Sequence, residues 1–319
     1  NEAQQLEATI QNLVNTQRHL HEIIVIDDCS VMRLGSTLTH INMQGIPLKL
    51  IEFDKPRGVG AARHIGCKEA SGDIVMVVDA HMRFPTDCIN RMLAHIERHP
   101  EAIICPCSTA FTECNLDDFC GTGAYLRLDA TRGYVSTWLP MKQLDDPCPQ
   151  VPSVLGACYM LRKPLLERLG GWGPGLRGWG CDEEYISIRA WLLGHEVRLA
   201  LDTYAAHFYQ EKFPSRNTRV GYGSALGDRE WEHVYNLHVL ARTLPENPLT
   251  HLRRLQKSVP STHACRTIRL MTYRMQPEIA RIRKYIQSNR IMSDVQLRRK
   301  MRAMHRKVRV HKKWEASVK

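Results

Sequence analysis

Short apolar runs punctuate the first half of the chain, and several of them stop on acidic residues. They lie at 22–30 (EIIVIDDCS), 48–53 (LKLIEF), 73–80 (DIVMVVDA) and 102–107 (AIICPC). Apolar runs of four to eight residues that are rich in β-branched side chains and bounded by turn signals favour strands. The pattern therefore predicts four strands in this half.

Amphipathic segments separate these runs. Residues 58–70 (GVGAARHIGCKEA) and 86–100 (TDCINRMLAHIERHP) have helical spacing, and Gly72 and Pro100 act as stop signals. Strands that alternate with helices are typical of a mostly parallel sheet with helices on its faces. The fold class predicted is α/β, Rossmann-like, and in such sheets ligands bind at the carboxyl ends of the strands.

The second half opens with a glycine- and tryptophan-rich loop at 170–184 (GGWGPGLRGWGCDEE), which leads into a predicted helix at 183–194. Glycines permit backbone shapes that other residues resist, and indole rings supply flat apolar surface. A strand-like run at 196–210 follows. The polar stretch after it, 211–228, is predicted to form a mobile lid.

From Asp228 onward the pattern becomes helical and basic. Residues 293–296 (SDVQ) form a capping-box signature, and an apolar stripe precedes it at Ile279, Ile282 and Ile286. Residues 251–319 hold 20 Lys and Arg but 3 Asp and Glu, whereas the first 250 residues hold 24 and 30. We therefore predict a catalytic domain at 1–235 and a basic helical extension at 236–319.

The composition, 43% hydrophobic and 24% charged, is that of a globular protein. No stretch reaches the roughly 18 apolar residues that span a bilayer, and the first 20 residues lack the layout of a secretion signal. We expect a cytoplasmic protein, of a bacterial or virus-infected cell. Asn1 leads directly into an amphipathic helix, so we also expect an upstream strand, anchor or tag.

Eleven cysteines, an odd number, favour reduced and mostly buried thiols over a disulfide framework. The densest group is CPCSTAFTEC (105–114) with Cys120 and Cys148. The alternative to buried thiols is a zinc site formed by these cysteines, although their spacings do not match the paired C-x-x-C of structural zinc sites.

The apolar run 74–78 stops on Asp79, and His81 follows after one alanine. Alternate residues of an extended chain share a face, so the carboxylate and the imidazole point the same way. Mixed oxygen and nitrogen ligation suits a borderline divalent ion such as Mn²⁺. The alternative is a polar surface turn.

Four segments in order resemble the GT-A fold glycosyltransferases, of the polypeptide N-acetylgalactosaminyltransferase or family 2 type. They are 22–30 (EIIVIDDCS), 56–84 (PRGVGAARHIGCKEASGDIVMVVDAHMRF), 155–191 (LGACYMLRKPLLERLGGWGPGLRGWGCDEEYISIRAW) and 205–210 (AAHFYQ). The resemblance covers about residues 1 to 235. It implies a GT-A fold and transfer of a sugar from a nucleotide-sugar donor, with a UDP-sugar as the expected donor, to an acceptor hydroxyl.

The resemblance also assigns a metal site. Asp79, His81 and His207 would hold Mn²⁺ or Mg²⁺, which would neutralise the departing diphosphate of the donor. Without the resemblance, His207 would be interpreted as a histidine packed in the core. The positions assigned to donor binding are Asp27, Asp28, Arg57, Arg63, Asp79 and Gly156, and a solvated helix face is the alternative for the two arginines.

Three residues of the glycine-rich loop are predicted to be catalytic. Asp182 and Glu183 would bind sugar hydroxyls or deprotonate the acceptor, and Trp179 would shape the pocket or pack in the core. The stretch WGCDEE (179–184) departs from the family's Gly-Gly-Glu-Asn pattern. Whether the anomeric configuration is retained or inverted is therefore left open.

The basic extension favours a nucleic-acid acceptor, because counterion release gives Lys/Arg-rich surfaces affinity for phosphate backbones. A hydroxymethylated base, flipped out of the duplex, would supply the hydroxyl. Protein Ser/Thr and a polysaccharide or lipid-linked glycan at a membrane are the alternatives, and a non-enzymatic binding module is disfavoured. The predicted acceptor-binding residues are Arg298, Arg299, Lys300, Arg302, Arg306 and Lys307.

Overall fold

The computed structural model describes residues 3–111, 122–129, 133–140, 146–172, 175–208, 228–258 and 262–309. The helices are α1 (Ala3–Thr16), α2 (Gly35–Leu38), α3 (Val59–Glu69), α4 (Cys88–Arg98), α5 (Lys163–Leu169), α6 (Asp182–Leu192), α7 (Asp228–Thr243), α8 (Pro248–Ser258), α9 (Thr262–Arg274), α10 (Gln276–Asn289) and α11 (Asp294–Arg309). The strands are β1 (Ile23–Asp27), β2 (Leu48–Glu52), β3 (Ile74–Val78), β4 (Met82–Arg83), β5 (Ala102–Phe111), β6 (Thr122–Asp129), β7 (Gly133–Pro140), β8 (Cys158–Arg162) and β9 (Glu196–Phe208).

The central sheet has five strands in the order β3-β8-β5-β9-β4. β5 pairs with β9 in parallel, whereas β3–β8, β5–β8 and β4–β9 are antiparallel. β1 and β2 form a separate parallel pair, and β6 and β7 form a hairpin. The predicted α/β class is confirmed. The strand directions are more mixed than predicted, because β8 lies between β3 and β5 and runs opposite to both.

The predicted elements of the first half all form. The four apolar runs become β1, β2, β3 and β5, and the two amphipathic segments become α3 and α4. The strand-like run at 196–210 becomes β9. Of the predicted lid at 211–228, residues 211–227 lie outside the described residues, and Asp228 begins α7.

One large apolar core joins the sheet to the C-terminal helices. Trp172 and Trp191 of the body share this cluster with Ile282, Ile286 and Met301 of the extension. The predicted isoleucine stripe is buried as expected, since Ile279 also lies in the core. The division at residue 236 remains a prediction from charge and pattern.

The predicted capping box forms at the start of α11. The Ser293 amide donates to Gln296 Oε1 (2.7 Å), and the Gln296 amide donates to Ser293 Oγ (3.2 Å). Each side chain thus satisfies a backbone N–H that the first helical turn leaves without a partner. This reciprocal pair explains where α11 begins.

The described cysteines of the dense group behave as buried thiols. Cys105, Cys107 and Cys148 are buried, and burial raises the pKa of each to about 12. Cys114 and Cys120 lie outside the described residues. A zinc site needs thiolates, which this apolar environment disfavours. Within the described part of the chain, no helix has the length and apolarity to cross a membrane.

If α10 belongs to the same core as the sheet, Ile286→Ala will destabilise the whole protein. Ile286 is 0% exposed, and removing such a side chain costs about 2–5 kcal/mol of unfolding free energy. The measurement is denaturant unfolding followed by tryptophan fluorescence. Ile291→Ala is the control, because Ile291 is 68% exposed. A separate minor transition that alone responds to Ile286→Ala would contradict a shared core.

Candidate functional site

The sheet brings three possible metal ligands together at the edge formed by β4 and β9. Asp79 directly follows β3, and its amide donates to the Ala157 carbonyl (2.9 Å). His81 directly precedes β4, whose Met82 is paired with His207 of β9. The pairing of β4 with β9 therefore brings His81 close to His207, although 126 positions separate them in the chain.

The ligand atoms of these three residues lie within 4.8 Å of one another. His81 Nε2 is 2.9 Å from His207 Nε2, and His207 Nε2 is 3.6 Å from Asp79 Oδ2. Both histidines are buried, whereas the Asp79 side chain is 31% exposed. Two imidazole nitrogens and one carboxylate oxygen form a donor set that fits Mn²⁺. A metal ion would enter such a site from the side of Asp79, because Asp79 is the most exposed of the three ligands.

The ionisation of Asp79 supports this arrangement. Burial raises the pKa of the carboxyl, but the hydrogen bond from His207 and the charges of Arg63, His207 and His81 outweigh burial and hold the pKa below its ordinary value. The carboxylate form is the one that binds a cation. Asp79 is therefore ionised at neutral pH.

Arg63 of α3 lies between Asp79 and the acidic start of α6. Its Nη2 donates to Asp79 Oδ1 (3.2 Å) and to the Gly156 carbonyl (2.7 Å), and its Nη1 donates to Asp182 Oδ2. The Arg63 side chain is 10% exposed and Asp182 is 8% exposed, which excludes a solvated helix face for Arg63. In this structure, Arg63 holds two of the predicted site residues in place. A contact of Arg63 with the donor stays a prediction.

Gly156 makes room for Glu183. A Cβ at Gly156 would lie 1.9 Å from Glu183 Oε1, so the carboxyl occupies the space that a side chain would fill. Burial raises the pKa of Glu183 well above its ordinary value, and Glu184 and Asp182 raise it further. The predicted acidic pair is thus asymmetric, because Asp182 is paired with a guanidinium whereas burial and neighbouring acids raise the pKa of Glu183.

The predicted nucleoside-binding aspartates organise the loops after β1 and β2. Asp28 accepts hydrogen bonds from the amides of Arg57 (2.6 Å) and Gly58 (2.9 Å). Asp27 Oδ1 accepts from the Ser30 amide (3.0 Å). The Arg57 guanidinium lies over the Phe53 ring, 4.6 Å from its centroid. These residues gather at one loop cluster, and their contact with a nucleoside stays a prediction.

Trp179 lies on the surface. It is 60% exposed, which excludes the alternative of an indole packed in the core, and its ring centroid is 6.1 Å from that of His233. The loop that carries Trp179 is held by Asn236 of α7, whose side chain contacts Arg177 and Gly180. No pattern in the sequence pointed to Asn236, because its partners lie 56 or more positions away.

The predicted acceptor residues whose side chains the structure describes point in different directions around α11. Arg299 and Arg302 are exposed, and Arg298 is partly exposed. Lys300 Nζ lies 4.3 Å from the Trp191 ring centroid, so this ammonium is engaged within the fold. Arg306 and Lys307 belong to α11, but their side chains lie outside the described residues.

A family model described as glycosyl transferase family 2 matches residues 1–170, just over half of the 319 residues. The chain belongs to glycosyl transferase family 2. The match includes β1, α3, β3 and the Asp79 to His81 segment. The family predicted from the sequence is therefore confirmed.

Curated relatives of this family 2 chain carry names of N-acetylgalactosaminyltransferases. Mouse polypeptide N-acetylgalactosaminyltransferase 4 is 24% identical over 237 residues, which cover 71% of this chain and 40% of the relative. A probable N-acetylgalactosaminyltransferase 6 from Caenorhabditis elegans is 25% identical and covers 68% of this chain and 38% of the relative. The chain thus spans about two fifths of the length of these relatives.

Solved structures confirm the GT-A fold. GalNAc-T7 with UDP, GalNAc and Mn²⁺ superposes with a TM-score of 0.58 at 19% identity, covering 74% of this chain and 46% of that one. S. aureus TarS 1-349 with UDP-GlcNAc gives a TM-score of 0.52 at 14% identity, covering 80% and 68%. At such identities the likeness concerns the fold.

The raised pKa of Glu183 predicts a pH-dependent cost to stability. Between the ordinary glutamate pKa and its folded value, the folded state keeps a proton that the unfolded chain has lost, so stability falls as pH rises. Glu183→Gln removes this effect. Its melting temperature relative to the parent should therefore rise from pH 4 to pH 8 in thermal unfolding.

Glu167→Gln is the control for this experiment, because Glu167 is exposed on α5. A melting-temperature difference for Glu183→Gln that stays constant with pH would show that Glu183 is ionised in the fold.

Proposed function

We propose that this chain is a metal-dependent glycosyltransferase that takes a sugar from a UDP-sugar. The observation that carries the proposal is the convergence of Asp79, His81 and His207, with ligand atoms within 4.8 Å, at one edge of a GT-A sheet. The two structural neighbours support the proposal, because one was solved with UDP, GalNAc and Mn²⁺ and the other with UDP-GlcNAc. Mn²⁺ fits the mixed donor set, and Mg²⁺ is the alternative.

The bound cation would neutralise the charge of the departing diphosphate. The chain's own residues set the geometry around it. Arg63 fixes the orientation of Asp79 and of Asp182 at the same time, so the ligand and the acidic start of α6 keep a constant separation. Glu183, whose pKa is raised by burial and by Glu184 and Asp182, is the candidate for proton exchange with an acceptor hydroxyl.

For the acceptor we propose a hydroxylated or hydroxymethylated base in nucleic acid. The outer face of α9 supports this choice, because basic and apolar groups interleave on it. Tyr273 is 78% exposed and Leu270 54% exposed, and they lie on one face with exposed Arg266, Arg269 and Arg274. Exposed tyrosines stack on bases while arginines contact phosphates. A cytoplasmic location accords with this acceptor.

The name of mouse polypeptide N-acetylgalactosaminyltransferase 4 supports a second candidate acceptor, a polypeptide, for which a Ser or Thr side chain would supply the hydroxyl. A glycan at a membrane surface is a third candidate, because basic helices also bind anionic lipids. Acceptor screening therefore includes peptides, glycans and hydroxymethylated oligonucleotides.

Loss of a metal ligand should slow donor cleavage strongly. Asp79→Asn and His207→Ala each remove a ligand, and a loss of about 3 kcal/mol of transition-state stabilisation corresponds to a fall of about 100-fold in rate. The measurement is Mn²⁺-dependent hydrolysis of a panel of UDP-sugars. His21→Ala, at an exposed histidine, is the control. Full metal-dependent activity in His207→Ala would overturn the site.

Nucleic-acid binding should depend on α9 and on salt. For the triple substitution Arg266→Gln, Arg269→Gln and Arg274→Gln, we expect the slope of log affinity against log salt to fall by about 2 to 3. Fluorescence anisotropy with a labelled single-stranded oligonucleotide measures it. Arg281→Gln is the matched control, because Arg281 already pairs with Glu278.

Tyr273→Ala should weaken binding of the same oligonucleotide by about 1–3 kcal/mol, the usual worth of stacking on one base. Sugar transfer to Ser/Thr peptides without measurable oligonucleotide binding would establish the polypeptide alternative instead.

A further inference from the structure

Asn236 of α7 is a buried amide whose partners are all backbone groups of one loop. It is 1% exposed. Its Oδ1 accepts from the Arg177 amide (2.9 Å), and its Nδ2 donates to the carbonyls of Arg177 and Gly180 (both 2.8 Å). A side-chain amide has two donor hydrogens and one acceptor oxygen, and here each has a partner. The loop 177–181, which we call the Trp179 loop, contains all three groups.

The same face of α7 makes further contacts with the Trp179 loop. Glu232 Oε2 lies 3.4 Å from the Trp179 amide nitrogen, and His233 Nδ1 lies 3.6 Å from Cys181 Sγ. The Arg177 guanidinium lies 5.8 Å from the Tyr235 ring centroid. α7 therefore contacts the loop through consecutive turns, with Asn236 as its buried polar contact.

The Trp179 loop has a backbone that needs such support. Its last residue, Cys181, has a φ of +68° although it is not a glycine. Gly178 and Gly180 also have positive φ values, +54° and +98°. Residues in this region cost energy and persist where the surroundings enforce them. The hydrogen bonds of Asn236 span this stretch from Arg177 to Gly180.

The opposite side of the loop touches α3. The Val59 amide donates to the Gly178 carbonyl (2.9 Å), and a Cβ at Gly58 would lie 2.2 Å from the Gly178 nitrogen. α3 carries Arg63, which holds Asp182 at the end of the loop and Asp79 in the metal site. The loop is thus enclosed between α7 and α3, directly before the acidic start of α6.

We propose that Asn236 is a positioning residue that fixes the Trp179 loop and, through it, Asp182 relative to the metal site. This inference rests on the proposed glycosyltransferase function for its catalytic consequence, whereas the fixing of the loop stands on the geometry alone. Asn236 meets no reacting group itself. Its effect passes through Arg177 and Gly180 to the residues that follow them.

The chemistry of the amide explains why other side chains fail at this position. Asn236→Asp places an oxygen against the Arg177 and Gly180 carbonyls, which then face a negative charge. Asn236→Ala removes the side-chain partner of three partly buried backbone groups, and each lost hydrogen bond costs about 0.5–1.5 kcal/mol. Both variants should release the loop while the sheet that carries Asp79, His81 and His207 stays folded.

Limited trypsin digestion tests the loop directly, because Arg177 precedes Gly178 and is a cleavage site inside the loop. Cleavage of an opened segment follows the population of the open form. Fragments 1–177 and 178–319 should form about tenfold or more faster in Asn236→Ala and Asn236→Asp, since one lost hydrogen bond shifts this equilibrium by about tenfold. Thr272→Val is the control, because Thr272 is buried and bonds within α9.

Kinetics tests the catalytic consequence. In both Asn236 variants kcat for UDP-sugar cleavage should fall by about 100-fold, as expected for a misplaced catalytic group, with the Mn²⁺ concentration for half-maximal activity unchanged. A purely structural role would lower activity in proportion to the folded fraction. An absence of metal-dependent cleavage in the parent protein would reject the proposed function, and the trypsin result would still decide the loop.

Unchanged cleavage after Arg177 in both folded variants would overturn the proposal. If neither variant folds, hydrogen–deuterium exchange of the parent protein tests the loop in place of trypsin digestion of the variants. The Arg177 amide donates to Asn236, so it should be protected at least as strongly as the amides of α7. Exchange of this amide at the rate of an exposed loop would also overturn the proposal.

Discussion

The site depends on one buried guanidinium. Arg63 donates to the carboxylates of Asp79 and Asp182 and to a backbone carbonyl, so a single cation pairs with two acids that come from distant parts of the chain. Removing one partner of a buried pair usually costs about 3–5 kcal/mol, because the remaining charge stays buried. Arg63 therefore keeps the metal edge of the sheet and the acidic start of α6 at a fixed separation. Without it, the two acids would repel each other.

The local part of this site could be predicted from the sequence. Asp79 and His81 lie two residues apart after an apolar strand, and alternation along one extended segment is a local property. His207 needed the family resemblance, because its pairing with Met82 is set by the sheet. No sequence pattern predicted Asn236 or the pairing of Arg63 with Asp182. Side-chain hydrogen bonds between residues that lie 50 to 120 positions apart leave no periodicity in the sequence.

The basic extension shows the same difference between local and tertiary information. Its isoleucine stripe and its capping box were predicted correctly, because both follow from helical spacing. The predicted acceptor-binding residues are adjacent basic positions of α11, and their contact with an acceptor stays a prediction. At 3.6 residues per turn, neighbouring positions point about 100° apart, so Lys300 meets Trp191 while Arg299 and Arg302 are exposed.

This packing gives the extension a structural relation to the site. α11 lies against α6 through Lys300 and Trp191, and α6 begins at Asp182. α7, which also belongs to the C-terminal part, holds the loop that precedes Asp182. Both ends of α6 are therefore held by elements that lie beyond the region matched by the family model. A chain built in this way needs its C-terminal helices for the geometry of its acidic residues, whatever further role those helices have.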